Sequence, residues 1–199
     1  MKKALLVVVA ASLMAASSFA AAKKAAAESQ IGFGVKGIIG LENLSGSEIT
    51  DNSMKVAFGG GVFADIKAGK TLMIQPELEF VTKGCSFTGG SSIDLAYIEL
   101  PVLVKAKFGE PKSKARPTVF VGPAIGMLMS AKANPGGVDI KDEMNSMNLS
   151  VVGGAGVDID KITVDVRYDL GLSNLVKDAP SGVDIKTGNI LLTVGYLFN

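Results

Sequence analysis

The feature that most constrains this chain is an alternation of apolar residues with small or polar ones, repeated in about eight stretches. In the last stretch, Ile190, Leu192 and Val194 alternate with Asn189, Thr193 and Gly195, and Tyr196 and Phe198 continue the apolar series. Successive side chains of a β-strand point to opposite faces, so a period of two predicts strands with one apolar face. The chain is therefore predicted to be all-β.

The N-terminus has the pattern of a secretory signal. Lys2 and Lys3 precede an apolar run over residues 4–14, and small residues follow at Ser18, Ala20 and Ala22. The apolar run is too short to span a bilayer, so residues 1–22 are predicted to be a cleaved signal peptide. Residues 23–29 would then be a short N-terminal segment, and residues 30–199 one β-barrel domain.

Alternation alone does not say which face meets lipid, because a soluble ligand-binding barrel alternates too, with its apolar face inward. The glycines decide for a membrane barrel, since they concentrate on the polar face, where a narrow lumen needs small residues. These are Gly32, Gly34, Gly40, Gly59, Gly61, Gly122, Gly126, Gly154, Gly156, Gly171 and Gly195. We therefore predict an eight-stranded antiparallel up-and-down transmembrane β-barrel.

The predicted connections alternate in length, as they do in barrels of outer membranes. Longer links are expected at 43–53, 84–92, 131–146 and 174–188, and shorter ones at 67–70, 109–116 and 159–162. Pro76, Pro101 and Pro123 fall inside predicted strands. A closed sheet has no free edge for a residue without an N–H, so we expect bulges or register breaks at these prolines.

Six segments resemble one family when taken in order. They are QPELEFVTKG at 75–84, YIELPVLVK at 97–105, VGPAIG at 121–126, GGAGVD at 153–158, VRYDLGLSN at 166–174 and VGYLF at 194–198. The series is similar to the PorT-like outer-membrane β-barrel family, a relative of OmpA- and OmpX-type barrels. This resemblance implies an eight-stranded barrel in the outer membrane of a Gram-negative cell. It also implies partners in outer-membrane lipid and in the barrel-assembly machinery, which would recognise the C-terminal strand; we expect a monomer.

Charged residues on the predicted lumenal face carry both signs. Buried charges are tolerated when paired, so we expect a structural network that links Glu77, Glu79 and Glu99 with Arg167 and Lys105. Asp165 and Asp169 belong to the same face. Eight strands leave an interior just filled by side chains, which favours a plugged lumen. A narrow channel for ions or small solutes remains the first alternative, and a soluble ligand-binding β-barrel the second.

Aromatic residues on the apolar face are predicted to meet lipid. They are Phe33, Phe58, Phe80, Phe108, Tyr168, Tyr196 and Phe198. This set is small for an interfacial girdle, because the chain has no Trp and only three Tyr.

The sequence predicts no enzyme, cofactor or metal site. It has no His, which removes Ser-His and Cys-His catalysis and the usual zinc ligands. Cys85, the single cysteine, is expected in a surface loop. The segments PGGVDIK at 135–141 and PSGVDIK at 180–186 nearly repeat; shared turn chemistry is favoured over a common partner-binding feature.

The predicted function is therefore that of an outer-membrane barrel of structural or interaction type. Its lumen would be filled by side chains, and its surface loops would be available to a partner.

Overall fold

A computed structural model describes residues 31–46, 52–87, 90–110, 113–177 and 185–198. The predicted signal peptide and residues 23–29 lie outside the described residues. Of the described residues, no helix is both long and apolar enough to span a bilayer.

The described chain is almost entirely β-strand. Its strands are β1 (Ile31–Gly46), β2 (Asn52–Lys67), β3 (Leu72–Phe87), β4 (Ser92–Lys107), β5 (Ala115–Asn134), β6 (Val138–Asp139), β7 (Met147–Ile159), β8 (Ile162–Gly171) and β9 (Ile185–Leu197). Neighbouring long strands pair antiparallel, and β1 pairs with β9, so the sheet closes. The two-residue β6 pairs back onto β5. The predicted eight-stranded antiparallel barrel is confirmed.

The apolar stripes face outward. Val56, Leu100 and Val166 each keep more than half of their surface exposed, whereas Lys105 and Arg167 are buried. This is the reverse of a soluble barrel, whose apolar face would line the interior. An apolar outer wall around a polar interior is the arrangement that hydrocarbon surroundings stabilise.

Two predicted long links prove shorter. Pairing of β1 with β9 continues to Gly46 opposite Ile185, and pairing of β3 with β4 continues to Ser86 opposite Ser92. Strand pairing therefore runs further into both predicted links than the sequence indicated. Serine, asparagine and glycine interrupt the apolar alternation at these strand ends, so the sequence indicated loops there. The length contrast persists between 172–184 and the two-residue turn 160–161, at opposite ends of the barrel. By the rule for such barrels, the end with 160–161 is periplasmic, and we call the other the outer end.

Cys85 lies in a strand, so its predicted loop position is wrong. It pairs with Met54 on one side and Ile93 on the other, and its side chain is fully buried. It packs with Leu95 and Tyr97 inside the outer end of the barrel. The nearby Gly84, Gly89 and Gly90 suggested a loop, but Gly84 is part of β3.

The prolines produce no register shift, so the expected breaks there are also wrong. Pairing of β3 with β4 has the same register on both sides of Pro76, although the ladder skips two positions beyond it. The ladder of β4 with β5 skips likewise between the Pro101–Ala124 and Val104–Val121 pairs. A missing N–H thus costs local hydrogen bonds only. The register shifts lie elsewhere, between Met54 and Gly59 in β2 and between Ala96 and Tyr97 in β4.

The lumenal glycines have two reasons. Some, such as Gly34 beside the Phe63 ring, leave room for lumenal side chains, whereas others leave room for a neighbouring backbone. A Cβ on Gly40 would lie 2.2 Å from the Ile190 carbonyl oxygen, and one on Gly59 would lie 2.3 Å from that of Phe80. By contrast, nothing lies within 4 Å of a Cβ on Gly37, which faces outward. Strands that curve sharply into a small barrel bring a neighbouring backbone into the space of a side chain.

Candidate functional site

The middle of the lumen is crossed by four charged side chains, which we call the central cluster: Lys36, Glu77, Glu79 and Arg167. The Lys36 Nζ lies 2.5 Å from the Glu77 Oε2 and also contacts the Glu79 carboxylate. The Arg167 Nη1 lies 3.0 Å from the Glu77 Oε2 and 3.1 Å from the Glu79 Oε1. Two cations thus balance two carboxylates, and all four are buried. Gln75 donates a further hydrogen bond of 2.5 Å to Glu77.

A glycine makes this cluster possible. Lys36 on β1 pairs with Gly61 on β2, and Gly61 pairs with Glu79 on β3. Because Gly61 has no side chain, Lys36 reaches across β2 to the carboxylate two strands away. Arg167 extends from β8 to the same carboxylates, and its guanidinium carbon lies 5.4 Å from the centre of the Phe120 ring. Side chains from strands far apart in the sheet therefore meet on the barrel axis.

Nearer the outer end, three carboxylates surround one lysine; we call Glu42, Lys83, Glu99 and Asp169 the outer cluster. The Lys83 Nζ lies 2.7 Å from the Glu99 Oε1 and 2.9 Å from the Asp169 Oδ2. It also lies 5.5 Å from the centre of the Tyr97 ring. Glu42 accepts a hydrogen bond of 2.5 Å from the Gly84 amide. This level carries more negative than positive charge.

The inner-end cluster lies towards the short turns and contains Asp65, Lys105, Lys107, Asp158 and Asp165. Asp158 accepts a hydrogen bond of 3.1 Å from the Lys105 Nζ and forms an ion pair with Lys107, whose Nζ lies 2.5 Å from the Asp158 Oδ2. The Lys105 Nζ lies 3.8 Å from the Asp165 Oδ1. Asp65 has the Lys107 Nζ only at 4.0 Å, and its oxygens accept no hydrogen bond from the described residues. This level is more loosely paired than the central cluster.

The outer mouth is covered by apolar side chains and connected loops. Leu175 packs on the cluster that holds Cys85, Leu95 and Tyr97, together with Leu128 and Ala131. The connection between β5 and β7 is hydrogen-bonded to the connection that follows β8. The backbone amide of Asn145 donates to the Leu175 carbonyl at 2.8 Å, and that of Lys177 donates to the Glu143 carbonyl at 3.0 Å. The described loops thus form a cap over the lumen.

A family model, described as an outer membrane protein beta-barrel domain, matches residues 16–177. This chain belongs to that family. It is consequently an outer-membrane β-barrel protein, embedded in the membrane through the apolar wall described above.

Solved structures of outer-membrane barrels have the same fold. Neisserial surface protein A is 15% identical, with a TM-score of 0.52 over 82% of this chain and 96% of that chain. OprG from Pseudomonas aeruginosa is 9% identical, with a TM-score of 0.55 over 86% and 97%. The outer membrane enzyme PagL is 13% identical, with a TM-score of 0.54 over 82% and 98%. At these identities the likeness concerns the fold alone. No curated protein matches the chain significantly.

Within this outer-membrane barrel, the predicted lumenal residues fall into separate levels. Glu77 and Glu79 contact Arg167, but Glu99 pairs with Lys83 and Lys105 pairs with Asp158. The single network expected from the sequence is therefore divided into three clusters. Glu42 and Lys83 were missing from that network. Glu42 follows Gly40 by two residues, and this phase is the signal that places it on the lumenal face.

The predicted lipid-facing aromatics lie on the outer wall, and their contact with lipid stays a prediction. Phe58, Phe80 and Tyr168 are exposed there, between the ends of their strands. The other four lie near the periplasmic end: Phe33, Phe108, Tyr196 and Phe198. Tyr196 and Phe198 make an edge-to-face contact, with 5.8 Å between ring centres.

Within the part of the chain that the structure describes, no three His, Cys, Asp or Glu side chains come together in an arrangement suited to a metal ion. Most of the described lumenal carboxylates lie beside lysine or arginine, and the central cluster lies across the path from one end of the lumen to the other.

Proposed function

We propose that this outer-membrane barrel is a closed, non-conducting protein of structural or interaction type, which meets partners through its outer end. The observation that carries this proposal is the central cluster. Buried ion pairs with good geometry hold their side chains in place, since separating them leaves charges uncompensated. The apolar cap at the mouth supports the same conclusion, because water and ions avoid such a constriction.

The expected result in planar lipid bilayers is no steady conductance from the purified, refolded protein. The measurement is single-channel recording at both polarities, with a wide-pore porin inserted under the same conditions as the positive control. Insertion is checked separately by the resistance of the folded barrel to denaturation in detergent at room temperature. Reproducible conductance steps from folded protein would contradict the closed barrel.

A narrow cation channel is the second candidate function. The excess of carboxylates over lysine in the outer cluster favours it, because a ring of acidic side chains attracts cations. In that case the conductance steps would be selective for cations. Their loss in Glu99→Gln would assign the selectivity to the outer cluster.

We propose further that the protein is not an enzyme. PagL, which has the same fold, is described as an outer membrane enzyme, so the fold does not exclude catalysis. The proposal rests on the complete absence of His from this chain and on the pairing of the lumenal carboxylates with cations. A PorT-like subfamily and a monomeric state are likewise proposals, based on the sequence segments given above.

The C-terminal strand is proposed to engage the barrel-assembly machinery. Its support is the alternating pair of Tyr196, near the end of β9, and Phe198, just after it, both exposed on the outer wall. Phe198→Ala is expected to lower the amount of folded protein in the outer membrane several-fold, with precursor accumulating in the periplasm. Fractionation and heat-dependent gel mobility measure both pools. Phe108→Ala, an equally exposed aromatic outside the terminal strand, is the matched control; equal losses in the two variants would contradict a terminal signal.

A further inference from the structure

The outer wall over β3, β4 and β5 carries three transverse rows of side chains near the outer end. Cross-strand pairing defines each row. The charged row is Gly84, Asp94 and Lys132; the small row is Thr82, Ala96 and Ser130; the apolar row is Phe80, Ile98 and Met127. The small row thus separates a polar band above from a hydrophobic band below. Along β3 and β4, the charged row and the apolar row are four residues apart, a distance of about 13 Å.

The small row is the floor of a groove. A cavity of about 350 Å³ lies there, and its lining includes Thr82, Ala96 and Ser130 on the floor and Val56 and Phe58 at one side. Two irregularities shape it. The register shift in β2 bends that strand beside Thr82, whose hydroxyl donates to the Phe58 carbonyl at 3.0 Å and accepts from its amide at 3.1 Å. The other shift, between β4 and β5, lies at the opposite side, next to Ser130.

The charged side chains above the groove are Lys55, Asp94 and Lys132, which together carry a net positive charge and are accessible. Lys55 on β2 contacts Asp94 on β4, across Gly84, which has no side chain to block it. Asn134 donates to the other Asp94 oxygen at 2.7 Å. Lys132 is exposed and makes no ion pair with any residue the structure describes. Because Lys55 and Asn134 satisfy the Asp94 carboxylate, the Lys132 ammonium is left as the free charge of the row.

We propose that this groove binds a phosphorylated acyl glycolipid of the outer leaflet. An acyl chain lies along the apolar row and against Phe58, and the small row leaves room for the ester and hydroxyl groups of the sugar. The phosphate meets Lys132, with Lys55 beside it. The occupant is chosen by charge complementarity and by position. The groove is at the outer end, where the polar-to-apolar step of the wall coincides with the boundary between headgroups and chains.

The test measures binding of bis-phosphorylated lipid A to the folded full-length protein in detergent, by native mass spectrometry with titration. Its dephosphorylated form and phosphatidylglycerol are the comparison lipids. Ala96→Phe fills the groove and is expected to lower retention of the phosphorylated form at least tenfold. Ala155→Phe, on the outer wall of β7, is the matched control and is expected to bind like the unaltered protein.

Lys132→Gln tests the contribution of charge to lipid binding without changing the shape of the groove. It is expected to weaken binding of the phosphorylated form about fivefold, the size of one lost charge-assisted hydrogen bond at an exposed site, and to leave the dephosphorylated form unchanged. Lys70→Gln, in the turn at the periplasmic end, controls for overall charge. Should Ala96→Phe fail to fold, Ser130→Leu obstructs the same row.

Three results would overturn the proposal. The first is unchanged retention in a folded groove-filling variant. The second is equal binding of the phosphorylated and dephosphorylated forms. The third is equal binding of phosphatidylglycerol, which would make the groove a general contact for anionic lipid.

Discussion

Replacing Arg167 with methionine is expected to destabilise the barrel by about 3–5 kcal/mol, the usual cost of removing one partner from a buried ion pair. Methionine retains most of the volume, so the loss is mainly electrostatic. Glu77 and Glu79 would then share Lys36 as the one remaining cation of the central cluster. The measurement is urea unfolding of the protein in lipid vesicles, followed by heat-dependent gel mobility.

Two further variants make this result specific to charge pairing. Arg167→Met combined with Glu79→Gln restores a balance of one cation and one carboxylate, and should recover most of the lost stability. Lys70→Met, in an exposed turn, should unfold at the same urea concentration as the unaltered protein. If Arg167→Met also unfolded there, the central cluster would have no role in stability.

Gly122→Ala is the second change with a large expected effect. The new Cβ would lie 2.0 Å from the Val102 carbonyl oxygen and 2.8 Å from the Leu103 Cα, both backbone atoms of β4. Backbone cannot give way as a side chain does, so β4 and β5 would have to separate. The ladder is already interrupted between Pro101 and Val104, which leaves few hydrogen bonds to resist separation. We expect a loss of about 1–3 kcal/mol, as for other overpacked interiors.

Gly153→Ala is the matched control, because its Cβ would have its nearest neighbours at 3.9 Å. It should be neutral or slightly stabilising, since alanine restricts the unfolded chain more than glycine does. The urea midpoint and the yield of folded barrel in vesicles measure both variants. Equal behaviour of the two alanines would contradict the close approach of β4 and β5 at Gly122.

The fold was predictable because one property decides it. Most outward residues, such as Val56 and Leu100, are apolar, and the charged residues of the strands lie mostly in the lumen, so the period of two is recognisable along most of the chain. The partners of the lumenal charges were not predictable. Whether Glu99 meets Arg167 or Lys83 depends on the stagger between strands far apart in sequence, and alternation carries no information on stagger.

Local exceptions to the alternation could not be predicted from the sequence either. Cys85 follows a glycine that is typical of loops, and its pairing with Met54 and Ile93 shows that the strand continues. The groove over Thr82, Ala96 and Ser130 depends on two register shifts, and neither occurs at a proline that would have indicated it. Both features arise where strands bend, and bending is determined by the closed sheet as a whole.

The contact of Lys36 with Glu79 across Gly61 constrains the register of β2 between its two neighbouring strands. If β2 slid by one residue against its neighbours, Val62 or Gly60 would replace Gly61 and every side chain of β2 would change face. A slide of two residues in one direction would put Phe63 under the lysine chain and obstruct it. The ion pair between Lys36 on β1 and Glu79 on β3 therefore favours one register of β2 between them. Because this constraint does not involve the loops, their lengths can vary without changing the register of these strands.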